Sequence, residues 1–88
     1  MKDKKEMDEM IGQARQQIDT LLSDNTVPRN VKTALDEAKK ALEGDDEYAV
    51  KVSTATYKID GVSNDINMPP FARTLVWNIL SLLESVKE

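Results

Sequence analysis

An all-α fold, arranged as an antiparallel up-and-down bundle of four helices, is predicted by three features of this 88-residue sequence. Apolar residues recur at three- and four-residue steps in four segments, as in helices that bury one side. Short polar or proline-containing stretches separate the segments, so consecutive helices can pack side by side. Hydrophobic residues make up 40% of the chain, enough for one core. We therefore predict a single domain over residues 1–88.

The first helix is predicted at residues 5–23. Its apolar stripe runs from Met7 to Leu22 and covers about 120° of the helical wheel, which leaves one side for solvent. The stripe stops at the polar stretch 23–26, where the chain is expected to turn.

The second helix is predicted at residues 27–43. Pro28 suits its first turn, where the missing N–H of proline has no intrahelical partner to lose. Thr26 or Asn25 could cap that turn with a side-chain oxygen. Gly44 stands where the residue that ends a helix is expected.

The third helix is predicted at residues 46–63. The segment is rich in β-branched residues and would also suit a strand. However, Val52, Ala55 and Ile59 follow a helical spacing, and the chain offers no second strand to pair with. Because an isolated strand would leave its backbone donors unpaired, we predict a helix.

The acidic stretch 45–47 precedes this third helix. It could bind a divalent cation, but no second carboxylate group is spaced to complete a coordination shell. We interpret it as a cap that also places favourable negative charge at the helix N-terminus.

The fourth helix is predicted at residues 69–87. It opens with Pro69 and Pro70 and carries apolar residues from Phe71 to Val86.

The sequence also resembles itself at an offset of 41 residues. Ten of the 47 aligned positions are identical, where roughly three are expected by chance at ordinary composition. We therefore predict that the bundle consists of two duplicated helical hairpins. The alternative is a two-unit HEAT-like helical repeat, although such stacks usually need about three units.

The repeat places Asp24 and Asp65 at equivalent positions, each eight residues before a cation, Lys32 or Arg73. They could form a repeated polar site. We interpret each carboxylate as a cap of the following helix that also pairs with the nearby cation.

Composition excludes several kinds of function. The chain has no cysteine and no histidine, so it cannot use a thiolate nucleophile or an imidazole acid–base catalyst. Its three glycines, at positions 12, 44 and 61, do not form a phosphate-binding loop. We predict that the protein is not an enzyme, and we predict no cofactor, metal or small-molecule substrate.

Charge and hydropathy address location and partners. The formal net charge is −4, which speaks against binding to nucleic acid or to an anionic membrane. No apolar run approaches the roughly 18 residues of a membrane span. The charged start of the sequence does not resemble a secretory signal. We expect a cytoplasmic protein.

The third and fourth helices carry apolar residues outside their main stripes. These are Val50 and Tyr57 in the third helix, and Trp77 and Leu80 beside Arg73 in the fourth. Tryptophan, tyrosine and arginine most often anchor protein interfaces. We predict an association surface here, most simply a homodimer seam or a contact with another protein. The alternative is that the last helix lies centrally and touches neighbours on both sides.

The basic side of the second helix suggests another function. Arg29, Lys32, Lys39 and Lys40 lie there, interleaved with three acidic residues. A nucleic-acid-associated accessory protein is therefore the alternative to a protein-interaction or structural module.

Three stretches resemble the archaeal uncharacterised protein family numbered 0147, and the similarity covers nearly the whole chain. They are residues 24–30 (DNTVPRN), 63–70 (SNDINMPP) and 72–79 (ARTLVWNI). The resemblance implies an all-α four-helix bundle. It implies no activity and supplies no site residues, because no activity is assigned to the family.

Overall fold

The computed structural model describes residues 2–87, and within them it contains four helices and no strand. The helices are α1 (Lys4–Leu22), α2 (Arg29–Glu43), α3 (Tyr48–Asp60) and α4 (Pro70–Lys87). The predicted all-α class is confirmed, and the β-branched third segment is a helix. We call α1 and α2 the first hairpin, and α3 and α4 the second hairpin.

The four helices form a closed antiparallel bundle. Each helix packs against the next in the chain, and α4 returns to pack against α1. Arg15 contacts Glu43 and Asp19 contacts Lys39, so α2 runs antiparallel to α1. Two stacked repeats would pack α1 on α3 and α2 on α4. The bundle therefore describes the chain, and the HEAT-like alternative does not.

One core runs along the bundle and receives the apolar stripe of every helix. Its largest fully buried side chains are Ile18, Leu21, Leu35, Ile59, Ile79, Leu83, Val31, Val52, Val76 and Val86. Full burial of each such side chain is worth about 1.5–3 kcal/mol relative to exposure. The periodicity that predicted the helices also identifies the faces that the core joins.

The start of α2 differs from its prediction. The helix begins at Arg29, and Pro28 occupies the preceding cap position without a side-chain cap. Neither Thr26 nor Asn25 caps the helix. The backbone N–H and hydroxyl of Thr26 both donate to the Asp24 carboxylate instead, so the predicted cap residue is held within the loop.

Gly44 does follow the last residue of α2, but it does so without left-handed backbone. Its φ is −75°, and its N–H donates to the carbonyl of Ala41 at 3.2 Å. Glycine is therefore not required there by backbone conformation.

The third helix is shorter than the predicted 46–63 at both ends. It begins at Tyr48, and Glu47 before it makes no side-chain cap. It ends at Asp60, whose carbonyl accepts the Ser63 hydroxyl at 3.0 Å. The chain then turns through residues 61–64. The acidic stretch therefore adds charge near the start of α3 but does not cap it.

Asp24 and Asp65 do not cap helices either. The Oδ1 atom of Asp24 accepts the Thr26 N–H at 2.8 Å, and that of Asp65 accepts the Asn67 N–H at 2.8 Å. In both loops, the bond from the aspartate side chain closes a turn that ends before the following helix begins. The recurrence of this bond 41 residues apart supports the predicted duplication, which stays a prediction.

Candidate functional site

The second hairpin carries the apolar surface that the bundle leaves uncovered. Among residues 2–87, five large hydrophobic side chains are exposed, and all lie between positions 50 and 77. They are Val50 (47% exposed), Tyr57 (78%), Ile66 (87%), Phe71 (50%) and Trp77 (60%). The first hairpin contributes none of them.

Trp77 lies on one side of α4 with three other residues, Arg73, Leu80 and Glu84. At 100° per residue these four positions fall within an arc of about 60°. We call them the Trp77 flank. Leu80 is half-buried against the core, whereas Arg73 and Glu84 are exposed. The flank thus has an apolar centre with one charge of each sign at its two ends.

The opposite side of α4 faces α1. There the Asn78 amide donates to the Gln17 side chain at 2.9 Å, and the Lys2 ammonium donates to the Ser85 carbonyl at 2.8 Å. The Trp77 flank therefore lies on the side of α4 nearer to α3. Helix α4 thus touches a neighbour on each side, as the alternative to an association surface expects, yet these contacts leave Trp77 60% exposed.

Small side chains on α3 explain why Trp77 is uncovered. Lys51 and Lys58 project toward α2, where Lys58 contacts Glu37 at 3.7 Å. The other flank of α3, toward α4, carries Ala49, Ser53 and Thr56, followed by Asp60 at the end of the helix. No side chain there is long enough to cover an indole ring.

Val50 and Tyr57 lie on α3, whereas the Trp77 flank lies on α4. They lie on the side of α3 that is opposite to the buried Val52, Ala55 and Ile59, so they point away from the bundle axis. Val50 and Tyr57 thus lie on the outer side of α3 and Arg73, Trp77 and Leu80 on α4, and the association surface that would join the five residues stays a prediction.

Arg73 is held in place from the loop before α4. Its guanidinium donates to the Asp65 carbonyl at 3.3 Å, which uses one of its five N–H donors. Arg73, Thr74 and Trp77 together line a shallow depression on the surface. The Arg73 side chain is otherwise exposed to solvent.

Asp65 itself joins the two hairpins. Its carboxylate accepts the Asn30 side-chain amide at 2.8 Å, so the bond joins the first turn of α2 to the loop before α4. The bond from Asn30, the bond from the Asn67 backbone and the charge of Arg73 lower the pKa of Asp65. In the other loop, the bonds from Thr26 and the charge of Lys32 lower the pKa of Asp24.

Sequence reasoning missed two exposed residues. Phe71 was assigned to the apolar face of the fourth helix, yet it is half exposed because it lies beside the core edge in the first turn. Ile66 lies in the loop between Asp65 and Asn67. An isoleucine in a polar turn was a visible signal for an exposed apolar residue.

A small apolar pocket opens at the opposite end of the bundle. It is lined by Met7, Tyr48, Ala49, Val86 and Lys87. The Tyr48 hydroxyl donates to Asp8 at 2.6 Å, and the Lys51 ammonium lies 4.7 Å from its ring centroid. The bond to the Asp8 carboxylate raises the pKa of Tyr48. These contacts fix the ring at the pocket.

The first hairpin has a polar surface closed by ion pairs. Arg15 meets Glu43 at 2.7 Å, and Lys39 meets Asp19 at 2.7 Å. The bond to Asp19 raises the pKa of Lys39. Within α2, Lys40 also pairs with Asp36. Two of the four predicted basic residues of α2 are thus already paired with carboxylates.

Two further features bear on chemistry and location. Within residues 2–87, no three His, Cys, Asp or Glu side chains are grouped so that they could hold a metal ion. The same stretch of chain contains no helix that is both long and apolar enough to cross a membrane.

Fold and surface define the class: a small four-helix bundle with an exposed aromatic flank on its second hairpin. The model of the uncharacterised protein family UPF0147 matches residues 1–86, and the chain belongs to this family. The predicted resemblance is therefore confirmed.

Relatives and solved structures agree with this assignment. A UPF0147 protein of Methanothermobacter thermautotrophicus is 48% identical over 69 residues, which cover 77% of this chain and 68% of the relative. A protein of unknown function, MMP1188, has a crystal structure that superposes with a TM-score of 0.84 at 38% identity, covering 90% of this chain and 91% of that one. A UPF0147 protein from Thermoplasma acidophilum superposes with a TM-score of 0.86 at 26% identity, covering 93% and 98%.

Proposed function

We propose that this protein is a non-catalytic, cytoplasmic protein-interaction module that binds its partner through the second hairpin. The observation that carries this proposal is the distribution of exposed large hydrophobic residues. All five that are seen in residues 2–87 lie between positions 50 and 77. Interface anchors are typically aromatic side chains and arginine, and Trp77 and Arg73 line one depression.

The surface of the first hairpin favours this function over nucleic-acid binding. Binding to a phosphate backbone needs unpaired lysine and arginine side chains. Lys39 and Lys40 are engaged with Asp19 and Asp36, and the chain as a whole is acidic. Half of the basic residues on this side of α2 are therefore already paired with carboxylates of the protein.

Site-specific photocrosslinking tests the proposal. The photoreactive amino acid benzoylphenylalanine would replace Trp77 in one variant and Tyr57 in another. Both variants would be irradiated as pure protein and in extract of the native cell. We expect crosslinks to protein, either a second copy or another chain, because a docked partner brings C–H bonds within reach of the probe. Mass spectrometry of the crosslinked peptides identifies the contact.

Variants of the first hairpin provide the control. Gln13 and Thr33 are exposed on α1 and α2, and the same probe at these positions should give few crosslinks. Equal crosslinking from both hairpins, or none from the second, would show that the exposed apolar surface is not a binding surface. Crosslinks to RNA from position 33 would favour the nucleic-acid alternative.

A further inference from the structure

The Trp77 flank has a sequence that complements itself when one copy is reversed. Arg73 and Glu84 stand at its ends, and Trp77 and Leu80 lie between them. A two-fold axis through the midpoint of residues 78 and 79 places position 73 opposite 84 and position 77 opposite 80. Each of the four residues then meets its complement on the second copy.

We propose that two copies of this chain associate through α4 in an antiparallel, two-fold symmetric pairing of the Trp77 flank. This rests on the proposed interaction function and names its partner and register. In the pairing, Trp77 of each copy packs on Leu80 of the other, and Arg73 of each copy meets Glu84 of the other. The apolar contacts thus lie at the centre of the interface, with an ion pair at each end, and the same surface is used by both copies, as in isologous dimers.

The charges at the two ends are available for this contact. Within residues 2–87, neither Arg73 nor Glu84 forms an ion pair, and both are exposed. They are separated by eleven residues, or about 16 Å along the helix. The hydrogen bond to the Asp65 carbonyl restrains Arg73 in the loop before α4.

Charge complementarity selects the antiparallel orientation. A parallel pairing in register would oppose Arg73 to Arg73 and Glu84 to Glu84, and facing like charges cost several kcal/mol. In the antiparallel register, the next flank residue, Lys87, stands opposite Pro70 and meets no like charge. The sequence of the flank therefore favours one orientation and one register.

The shape around the flank allows a second helix to approach. The adjacent side of α3 carries Ala49, Ser53 and Thr56, with Asp60 at its end, so no long side chain stands in the way. A contact of one helix flank per copy belongs to the small interfaces below about 1,200 Å² that are typical of transient association. We therefore expect a dissociation constant on the order of micromolar.

Sedimentation velocity of the purified chain over a wide concentration range tests the pairing. The wild type should pass from monomer to dimer. Arg73→Glu and Glu84→Arg should each raise the dissociation constant about tenfold or more, because each creates two like-charge contacts per dimer. The double variant Arg73→Glu/Glu84→Arg restores both pairs and should return to within about threefold of the wild type.

A mixture of the two single variants gives a sharper result. In a heterodimer, both end pairs join opposite charges, whereas each homodimer opposes like charges. The mixture should therefore dimerise more strongly than either variant alone. Arg29→Glu, an exposed charge reversal on α2, is the matched control and should not change dimerisation. Circular dichroism confirms that each variant is folded.

The outcomes separate this proposal from the more general one. A wild type that stays monomeric at high concentration, or single variants that dimerise normally, would overturn the α4 pairing. Failure of the double variant or of the mixture to recover would overturn the register. The crosslinking experiment stands apart from these results, since position 77 can still crosslink to a different protein.

Discussion

The two hairpins of this protein match on their buried sides and differ on their outer sides. Ile18 and Ile59 lie 41 residues apart, and both are fully buried. On the outside, the first hairpin joins Arg15 to Glu43, whereas the second exposes Tyr57 and Trp77. Core positions are constrained by packing, so the outer side is where two similar hairpins can differ without loss of the fold.

Core truncation should give the largest effect and tests whether the inner sides are equivalent. Ile18→Ala and Ile59→Ala should each lower the free energy of unfolding by about 2–5 kcal/mol, because each leaves a cavity in the shared core. Urea denaturation followed by circular dichroism measures both. Ile66→Ala, at an exposed position, is the control and should change it by less than about 0.5 kcal/mol.

If one of the two isoleucine variants left the free energy of unfolding nearly unchanged, the inner sides of the two hairpins would not be equivalent, because that hairpin would not depend on the shared core.

Replacement of a glycine in the first hairpin should give the next largest change in the free energy of unfolding. Gly12 lies within α1, and a Cβ added there would meet nothing within 4 Å. Gly12→Ala should therefore raise the free energy of unfolding by about 0.5–1 kcal/mol, because alanine loses less entropy in a helix. The same denaturation measurement detects it. Gly44→Ala, outside a helix, should give a smaller gain, and a destabilised Gly12→Ala would contradict the open space seen there.

The ion pairs of the first hairpin should contribute less to the free energy of unfolding than the core does. A double-mutant cycle with Arg15→Gln and Glu43→Gln should give a coupling of about 0.2–1 kcal/mol at low salt, because both side chains are partly solvated. The coupling should fall in about 1 M salt, where the Debye length is about 3 Å. A coupling that persists in high salt would indicate that packing, and not charge, joins the two helices.

Loss of the hydrogen bond from Asn30 to Asp65, which joins the hairpins, should have the smallest effect on stability. The effect is best measured as a change in the pKa of Asp65. Asn30→Ala removes the main cause of the lowered pKa of Asp65, so that pKa should rise toward 3.8. A lowered folded pKa contributes stability above the unfolded value, and this is lost as pH falls through the folded pKa. The melting temperatures of wild type and variant should therefore converge below pH 3.8.

NMR titration measures both loop carboxylates in one sample. The pKa of Asp24 should not change in Asn30→Ala, because its partner Thr26 lies in its own loop. An unchanged pKa of Asp65 would show that the loop before α4 is not coupled to α2 through Asn30.

Periodicity predicted the helices and the core because helical spacing is a local property. Val52, Ala55 and Ile59 identified α3 although their neighbours favour a strand. The caps were predicted less well: Thr26 can bond either to the helix or to Asp24, and the geometry of the whole loop decides between them. Which exposed side chains of neighbouring helices form one surface was also beyond the sequence, so the grouping of Tyr57 with Trp77 stays a prediction.

Trp77 is the one tryptophan of the chain, and its position has a spectroscopic consequence. Because its indole is 60% exposed in the folded protein, its emission should change little when the bundle unfolds. Burial of the ring by a docked partner should shift that emission to shorter wavelength. Intrinsic fluorescence will therefore report occupancy of the Trp77 flank and will be a poor measure of folding.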